Sequence, residues 1–470
     1  MSAQRVVIGI DSSTQSAKAV AVDVDSGAVV GEGRAPHTVS SGAGRESDPE
    51  QWWQALCTAV EQTGWADRAE AVSVGGQQHG LVTLDANGTP IRPALLWNDV
   101  RSAGQAAALT EKYGAETLAA RTGSVPTSSF TISKWLWLRE NEPHHAERVA
   151  AVRLPHDYLT ERLTGEGVTD RGDASGTGWW GPGGYDLDLL RDIDLDPALL
   201  PRVVSGQAGT VKAGGPLREG ALVASGTGDN MAAALGLGLE PGTPVLSLGT
   251  SGTVYAVTRQ RPQDPTGIVA GFADALDNWL PLACTLNCTQ AVDKFAALLG
   301  RDREAVEPGG TAVVLPFLDG ERTPNLPHAA GLVYGLRHDT TPGQILQAAY
   351  DGAAAALLAA LDDVLRAGGE DPSPDTPLLL IGGGAKGTAW RRTILRLSGR
   401  PVLVPAAGEL VALGAAAQAA ALLTGETPDA VARRWGTSSG ELLEPVERDT
   451  ATMERIAGTL PRAGQLFTRL

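Results

Sequence analysis

The chain has 470 residues, 43% of them hydrophobic and 20% charged, an ordinary globular composition long enough for two or three domains. A net charge of −16, with no basic stripe, argues against a nucleic-acid partner. Three scattered cysteines (Cys57, Cys284 and Cys288) give no disulfide framework, and the four-residue spacing of the last two reads as a buried pair rather than a zinc site.

The chain enters a strand almost at once, without a charged and apolar leader. No window approaches about 18 uninterrupted apolar residues. A cytoplasmic protein with no membrane partner is expected. Val6 to Ile10 reads as a buried strand running into Asp11. A hydroxyl-rich turn, Ser12 to Ser16, follows, and Lys18 leads into a second strand, Ala19 to Val24. A carboxylate at the tip of a buried strand is costly unless it meets a cation. A hydroxylated turn offers donors to phosphate oxygens. The pair reads either as a hairpin holding a metal-bound nucleotide or as a surface turn.

Asp48 and Pro49 are set to start a helix to Thr63. Ala69 to Val74 is a short strand ending at Gly75-Gly76-Gln77-Gln78-His79-Gly80. Gln78 and His79 both donate and accept, which suits a hydroxyl-rich ligand as well as a hydrogen-bonded turn. Val82 to Leu84 and Pro93 to Trp97 read as strands. Trp97 sits beside Asn98 and Asp99, either as a platform for a sugar face or as core. Ser102 to Tyr113 and Ile132 to Asn141 are helical. Residues 165–184, with Asp170 and Asp173, read as a long glycine-rich loop.

Leu222 to Ala224 is a strand, followed by Ser225-Gly-Thr-Gly-Asp-Asn230 and a small-residue helix from Met231. Asp229 is placed either to cap that helix or to take a proton from a substrate hydroxyl. After a break at Pro241-Gly242, Pro244 to Val257 repeats the strand, Gly/Ser/Thr turn, strand pattern of the N-terminal hairpin. Ile268 to Ala273 and Trp279 to Cys284 continue it. An internal duplication places two phosphate-gripping hairpins across a cleft. Thr341 to Ala367 is a long helix, and Pro377 to Ile381 is a strand ending in Gly382-Gly-Gly-Ala-Lys386. Trp390 to Ser398 is a helix, Val402 to Val404 a strand and Leu410 to Leu423 an Ala-rich helix. A strand, a glycine turn and a helix bring backbone close to a nucleotide.

The ordered set resembles the FGGY carbohydrate kinases over nearly the whole chain. Asp11 to Lys18 is similar to their first phosphate motif. Gly76 to Gly80 and Leu96 to Arg101 are similar to the sugar segments, and Gly226 to Asn230 to the catalytic aspartate segment. Ser247 to Gly252 resembles the second phosphate motif. Gly320 to Pro324 and Gly331 to Leu336 resemble a further family segment. Gly382 to Lys386 resembles the adenosine motif, and Ala412 to Ala416 follows in place.

The resemblance implies an α/β fold, with two ribonuclease-H-like (actin/hexokinase-type) domains around a cleft, expected here as residues 1–237 and 238–470. It implies ATP and Mg²⁺, with Asp229 as general base and Asp11 on the metal side. Gln78, His79, Asn230 and Trp97 are expected at the sugar. Ser13, Thr14, Lys18, Gly249 and Thr250 are expected at the phosphates, and Gly383, Gly384 and Ala385 at the adenosine. Within the family the three sugar-site and catalytic runs point to D-xylulose. Other pentuloses, a hexonate and glycerol are the alternative acceptors, and an actin- or chaperone-like ATPase is the alternative from another class. A sugar-sensing regulator would need a basic helix-turn-helix, which neither terminus offers. A homodimer is entertained only from the frequency of two-fold assemblies. Three departures stand out, the first being Gln77 before the usual Gln/Met-His pair. Ser13 replaces the usual glycine and is strained if its φ is positive. Ala385-Lys386-Gly387 has no Asn or Ser side chain for adenine, which leaves backbone and apolar contact.

Overall fold

The computed structural model describes residues 4–40, 44–371 and 376–467. Two seven-stranded sheets organise it. The N-terminal sheet begins with an antiparallel meander of Val6–Ser12, Ser16–Asp23 and Val29–Pro36. Ala71–Gly76 and Leu222–Ala224 then add in parallel, and Gln207–Thr210 closes the edge antiparallel. The C-terminal sheet repeats this plan. Pro244–Leu248, Gly252–Ala256 and Trp279–Thr285 form its meander. Leu378–Ile381 and Val402–Pro405 add in parallel, and Gly440–Leu443 closes antiparallel. Ala270–Ala273 is an extra edge strand with no counterpart in the first sheet. The repeated order is what a duplicated unit would produce.

Strand burial follows from the sequence. Every residue of Val6–Ser12 is buried, because this near-continuous apolar strand is central and covered on both faces. Helix Pro49–Gln62 covers one face. It starts where expected, with Asp48 accepting from Glu50 N and proline at its first turn. The other face is covered from far along the chain, by helix Leu410–Thr424. Gly9 permits this contact, since a Cβ there would lie 1.9 Å from the Ala412 carbonyl oxygen.

The same helix crosses helix Asp229–Gly236 with backbone almost touching. A Cβ on Gly414 would lie 1.8 Å from Ala232 O, and one on Gly236 2.1 Å from Leu410 O. The Ala-rich stretch near residue 410 is therefore packed against the N-terminal sheet and ties the two halves together.

Helix Pro342–Ala367 backs the C-terminal sheet, opened by a reciprocal Thr341/Gln344 cap. By length and composition it could span a membrane, but 72% of its apolar window is buried in the core. Two local expectations change. Pro93 to Trp97 forms only the two-residue strand Ala94–Leu95. Residues 165–184 are not one loop. They hold strand Val168–Thr169, a helical turn Arg171–Ala174 capped by Asp170, and strand Trp180–Gly181. The aspartates account for this order: Asp170 accepts from Gly172 N and Asp173 N, and Asp173 binds His156.

Candidate active site

Asp11 lies at the end of the central strand and is only 4% exposed. Its two carboxylate oxygens each accept from Ser13 Oγ at 2.8 Å, and Lys18 Nζ stands 3.4 Å from Oδ2. Burial pushes the Asp11 carboxyl up, and Lys18 and Ser13 oppose that push. Ser13 is absent from the positive-φ residues of the described chain, so serine holds the turn without the strain a left-handed position would bring. It also supplies a hydroxyl that glycine would lack. His37 braces the turn through a 3.0 Å contact between Nε2 and the Ser13 carbonyl.

Lys18 also donates to Glu409 Oε2 at 2.6 Å. Its ammonium therefore bridges the N-terminal hairpin and the start of helix Leu410–Thr424. Nothing local in the sequence marks Glu409, which lies 391 residues from its partner.

Asp229 is the first residue of its helix, not the cap. Gly228 occupies the cap position and contributes no side chain. The capping alternative therefore fails, and the carboxylate is left for other work. Asp229 Oδ1 accepts from Asn230 N at 2.9 Å and Asn230 Nδ2 at 3.0 Å, while Asn230 Nδ2 also donates to Gln78 Oε1 at 2.8 Å. These contacts fix one carboxylate oxygen and leave Oδ2 to accept a proton. Surrounding protein raises the Asp229 carboxyl to about 7, and the nearby charges of Asp11 and Asp173 add to the effect. A carboxylate poised near neutrality is suited to general-base work.

His79 sits in the left-handed region at φ 66°. A non-glycine residue there is held by its surroundings and often marks a site. Its Nδ1 stands 2.7 Å from the Gly176 carbonyl oxygen. A carbonyl only accepts, so Nδ1 carries the proton and Nε2 is an acceptor. Burial and the nearby Lys134 keep the ring neutral, with its pKa lowered to about 3. The imidazole stacks on Phe130 at 5.0 Å and packs against Phe272 at 5.4 Å.

Trp97 Nε1 donates to Thr14 Oγ1 at 3.2 Å, which joins the Trp97 segment to the turn after Asp11. Asp99 and Arg101 lock the segment after Trp97 through paired contacts that include Glu46.

These groups enclose one cavity of about 210 Å³ between the sheets. Thr14, Gln78, His79, Trp97, Asp229 and Asn230 line it from the N-terminal half. Ser251, Thr253, Phe272, Cys284 and Arg322 line it from the C-terminal half. The volume suits a monosaccharide, and the wall carries both donors and acceptors. Sequence reasoning missed Ser129, Ser251, Thr253 and Phe272 as cavity residues, because the cavity gathers them from segments far apart in the chain.

The remaining expected positions form a second group. Gly249 opens the turn of the C-terminal hairpin, its N–H bonding Ser251 O at 3.1 Å, and Thr250 is exposed at the tip. Neither lines the cavity. Gly382 (φ 87°) seats the glycine turn on the end of that hairpin, where a Cβ would come 2.7 Å from Leu248 O. Gly383 is exposed with open space around it, and Gly384 is buried against Leu248 and Thr289. The Ala385 side chain is only 3% exposed and belongs to the core. Its carbonyl accepts from Arg391 Nε at 2.5 Å. Of this motif, Gly382 and Gly383 present backbone at the surface, and the expected apolar contact from Ala385 is directed inward.

Comparison with known proteins gives the family. Residues 6–236 match the N-terminal domain, and residues 245–423 the C-terminal domain, of the FGGY family of carbohydrate kinases. The chain is 67% identical to the xylulose kinase of Streptomyces rubiginosus, covering 99% of this chain and 98% of that protein. It is 35% identical to the xylulose kinase of Escherichia coli, covering 87% and 88%. The solved xylulose kinase of Bifidobacterium adolescentis superposes with a TM-score of 0.84 at 36% identity, covering 97% of this chain and 99% of that one. The glycerol kinase of Plasmodium falciparum shares the fold at a TM-score of 0.84 and 18% identity, covering 98% of each chain. This chain belongs to the FGGY family of carbohydrate kinases.

Proposed function

We propose that this chain transfers the γ-phosphoryl group of ATP to the primary hydroxyl of D-xylulose, giving D-xylulose 5-phosphate and ADP. The observation that carries the reading is the cavity between the sheets, where a pinned carboxylate near neutrality, a neutral imidazole and amide groups surround a sugar-sized space. The 67% identity to a xylulose kinase supports the choice of sugar.

In this reading Asp229 Oδ2 takes the proton of the C5 hydroxyl. That oxygen forms a bond to the γ-phosphorus as the bond from phosphorus to the bridging oxygen breaks, and ADP leaves with the electron pair. Asn230 fixes the base and Gln78 fixes Asn230. His79 Nε2 accepts from a sugar hydroxyl, and Trp97 covers a face of the sugar. Ser13, Thr14, Lys18, Gly249 and Thr250 serve the phosphates. Gly383 and its neighbours serve the adenosine through backbone.

The donor set also fits a magnesium-bound nucleotide. Asp11 is a buried carboxylate whose own partners offset its burial only partly. Among the described residues no cluster of three or more ligating side chains exists. A metal here would take one protein carboxylate, Asp11, and fill its shell from phosphate oxygens and water, as Mg²⁺ does at phosphoryl-transfer sites. When bound it would neutralise charge on those oxygens.

We assign residues 1–237 and 238–470 as the two lobes, working in the cytoplasm. The reading is tested by product identity. Phosphorus NMR of the reaction is expected to show one monoester on the C5 oxygen, and a phosphate on any other oxygen would contradict it.

A further inference from the structure

Arg322 is a cation on the cavity wall with no task in the mechanism above. It comes from the loop between strands Val313–Leu315 and Leu332–Tyr334, which pair antiparallel. That loop is anchored with unusual care. Glu321, 2% exposed, accepts from Leu286 N at 2.6 Å, Asn287 N at 3.2 Å and Asn287 Nδ2 at 3.0 Å. It also accepts from Arg322 N at 2.7 Å. Asn287 returns the grip, donating to Gly320 O at 2.8 Å and accepting from Leu318 N at 3.1 Å. The effect is to bolt the loop to the end of strand Trp279–Thr285.

The guanidinium itself is left over. Among the described residues it makes no hydrogen bond and no ion pair with a carboxylate. A half-buried arginine on a cavity wall, on a loop pinned by its neighbour's carboxylate, is poised for a ligand oxygen. Its position indicates which oxygen. Arg322 is among the charges that act on His79, which lines the same cavity. It therefore stands near the imidazole on the cavity wall.

Resting on the sugar-kinase reading, we infer that Arg322 is a sugar-binding residue, donating to acceptor oxygens of the ketose beside His79. The chemistry of the pair is complementary. His79 Nε2 accepts and so takes a sugar O–H, whereas Arg322 only donates and so takes a carbonyl or hydroxyl lone pair. An α-hydroxy ketone offers both on adjacent carbons. The contact also makes the sugar a bridge, because His79 belongs to the N-terminal half and Arg322 to the C-terminal half.

The experiment measures KM for D-xylulose, KM for ATP and kcat in the full-length Arg322→Met and Arg322→Lys variants, with thermal melts. Arg322→Met is expected to raise KM for D-xylulose by about 10- to 100-fold, the range for losing a charged hydrogen bond. KM for ATP is expected to stay within about twofold, and Arg322→Lys to recover part of the loss. Melting temperatures should match wild type, since the side chain holds nothing else in place. An unchanged KM for D-xylulose in Arg322→Met would overturn the inference. So would a loss confined to KM for ATP or to kcat, which would place the arginine at the phosphates. Absence of D-xylulose phosphorylation in the wild type would instead overturn the proposed function.

Discussion

The contact between helices Asp229–Gly236 and Leu410–Thr424 gives a sharp test of how the base is placed. In Gly414→Ala the new Cβ would sit 1.8 Å from Ala232 O and 2.7 Å from Gly236 N, both backbone atoms. No rotamer change relieves a clash with backbone. To reach the 3.0 Å closest approach of real Cβ atoms, the helices must part by at least 1.2 Å. Overpacking of this kind costs about 1–3 kcal/mol or more. The helix that moves begins with Asp229, and a displacement of about 1 Å at a reacting group costs roughly 100-fold in rate. The assay is kcat at saturating sugar and ATP, together with a thermal melt. Gly414→Ala is expected to lose about 100-fold in kcat and to melt earlier. Gly104→Ala, a helical glycine with open space around it, serves as the control and should lose neither. Wild-type kcat and melting in Gly414→Ala would refute the claim that this backbone contact sets the position of Asp229.

Further outcomes follow from the same site. Asp229→Asn should lower kcat by about 100- to 10,000-fold, the usual range for a general base, measured by coupled ADP release. The wild-type kcat/KM should fall about tenfold per pH unit below the Asp229 value of about 7 and level off above it, because the base must be ionised. The raised Asp229 carboxyl also destabilises the fold as pH rises, since the native state binds a proton that the unfolded chain has already released. Asp229→Asn should therefore melt above wild type at pH 8, with the gap closing as pH falls toward the ordinary carboxylate value of 3.8. Asp173→Asn removes one of the charges that raise Asp229, so the acid limb of the rate profile should move to lower pH. Ser13→Gly deletes both 2.8 Å contacts to Asp11; its kcat/KM for ATP should drop by about tenfold, the effect of one charge-assisted hydrogen bond.

Local pattern made the hairpins and the helix starts readable. Apolar runs ending in small polar turns gave both hairpins, and Asp48-Pro49 marked a helix start through cap chemistry that acts over three or four residues. The two-sheet plan also showed, because the meander pattern occurs twice. What stayed hidden depends on the path of the chain. Lys18 pairs with Glu409 and Gln78 with Asn230, partners 391 and 152 residues apart. Helix Leu410–Thr424 reads as an ordinary Ala-rich element, and only the glycines at 9, 236 and 414 hint that backbone approaches it closely. Asp229 was ambiguous between cap and base because both roles place an aspartate before a helix. The fold decides by giving the cap position to Gly228. Residues 165–184 looked like a loop because glycine and tryptophan obscure periodicity, while the order comes from aspartates binding backbone N–H groups and the buried His156.

The most direct test of the central claim is coupled ADP release with Mg-ATP across D-xylulose, L- and D-ribulose, gluconate, glycerol and no sugar. A large preference for D-xylulose, abolished in Asp229→Asn, is the predicted result. A preference for another acceptor would contradict the assignment of the sugar while leaving the Asp229 chemistry in place. Equal ADP release with and without sugar would contradict the kinase reading itself.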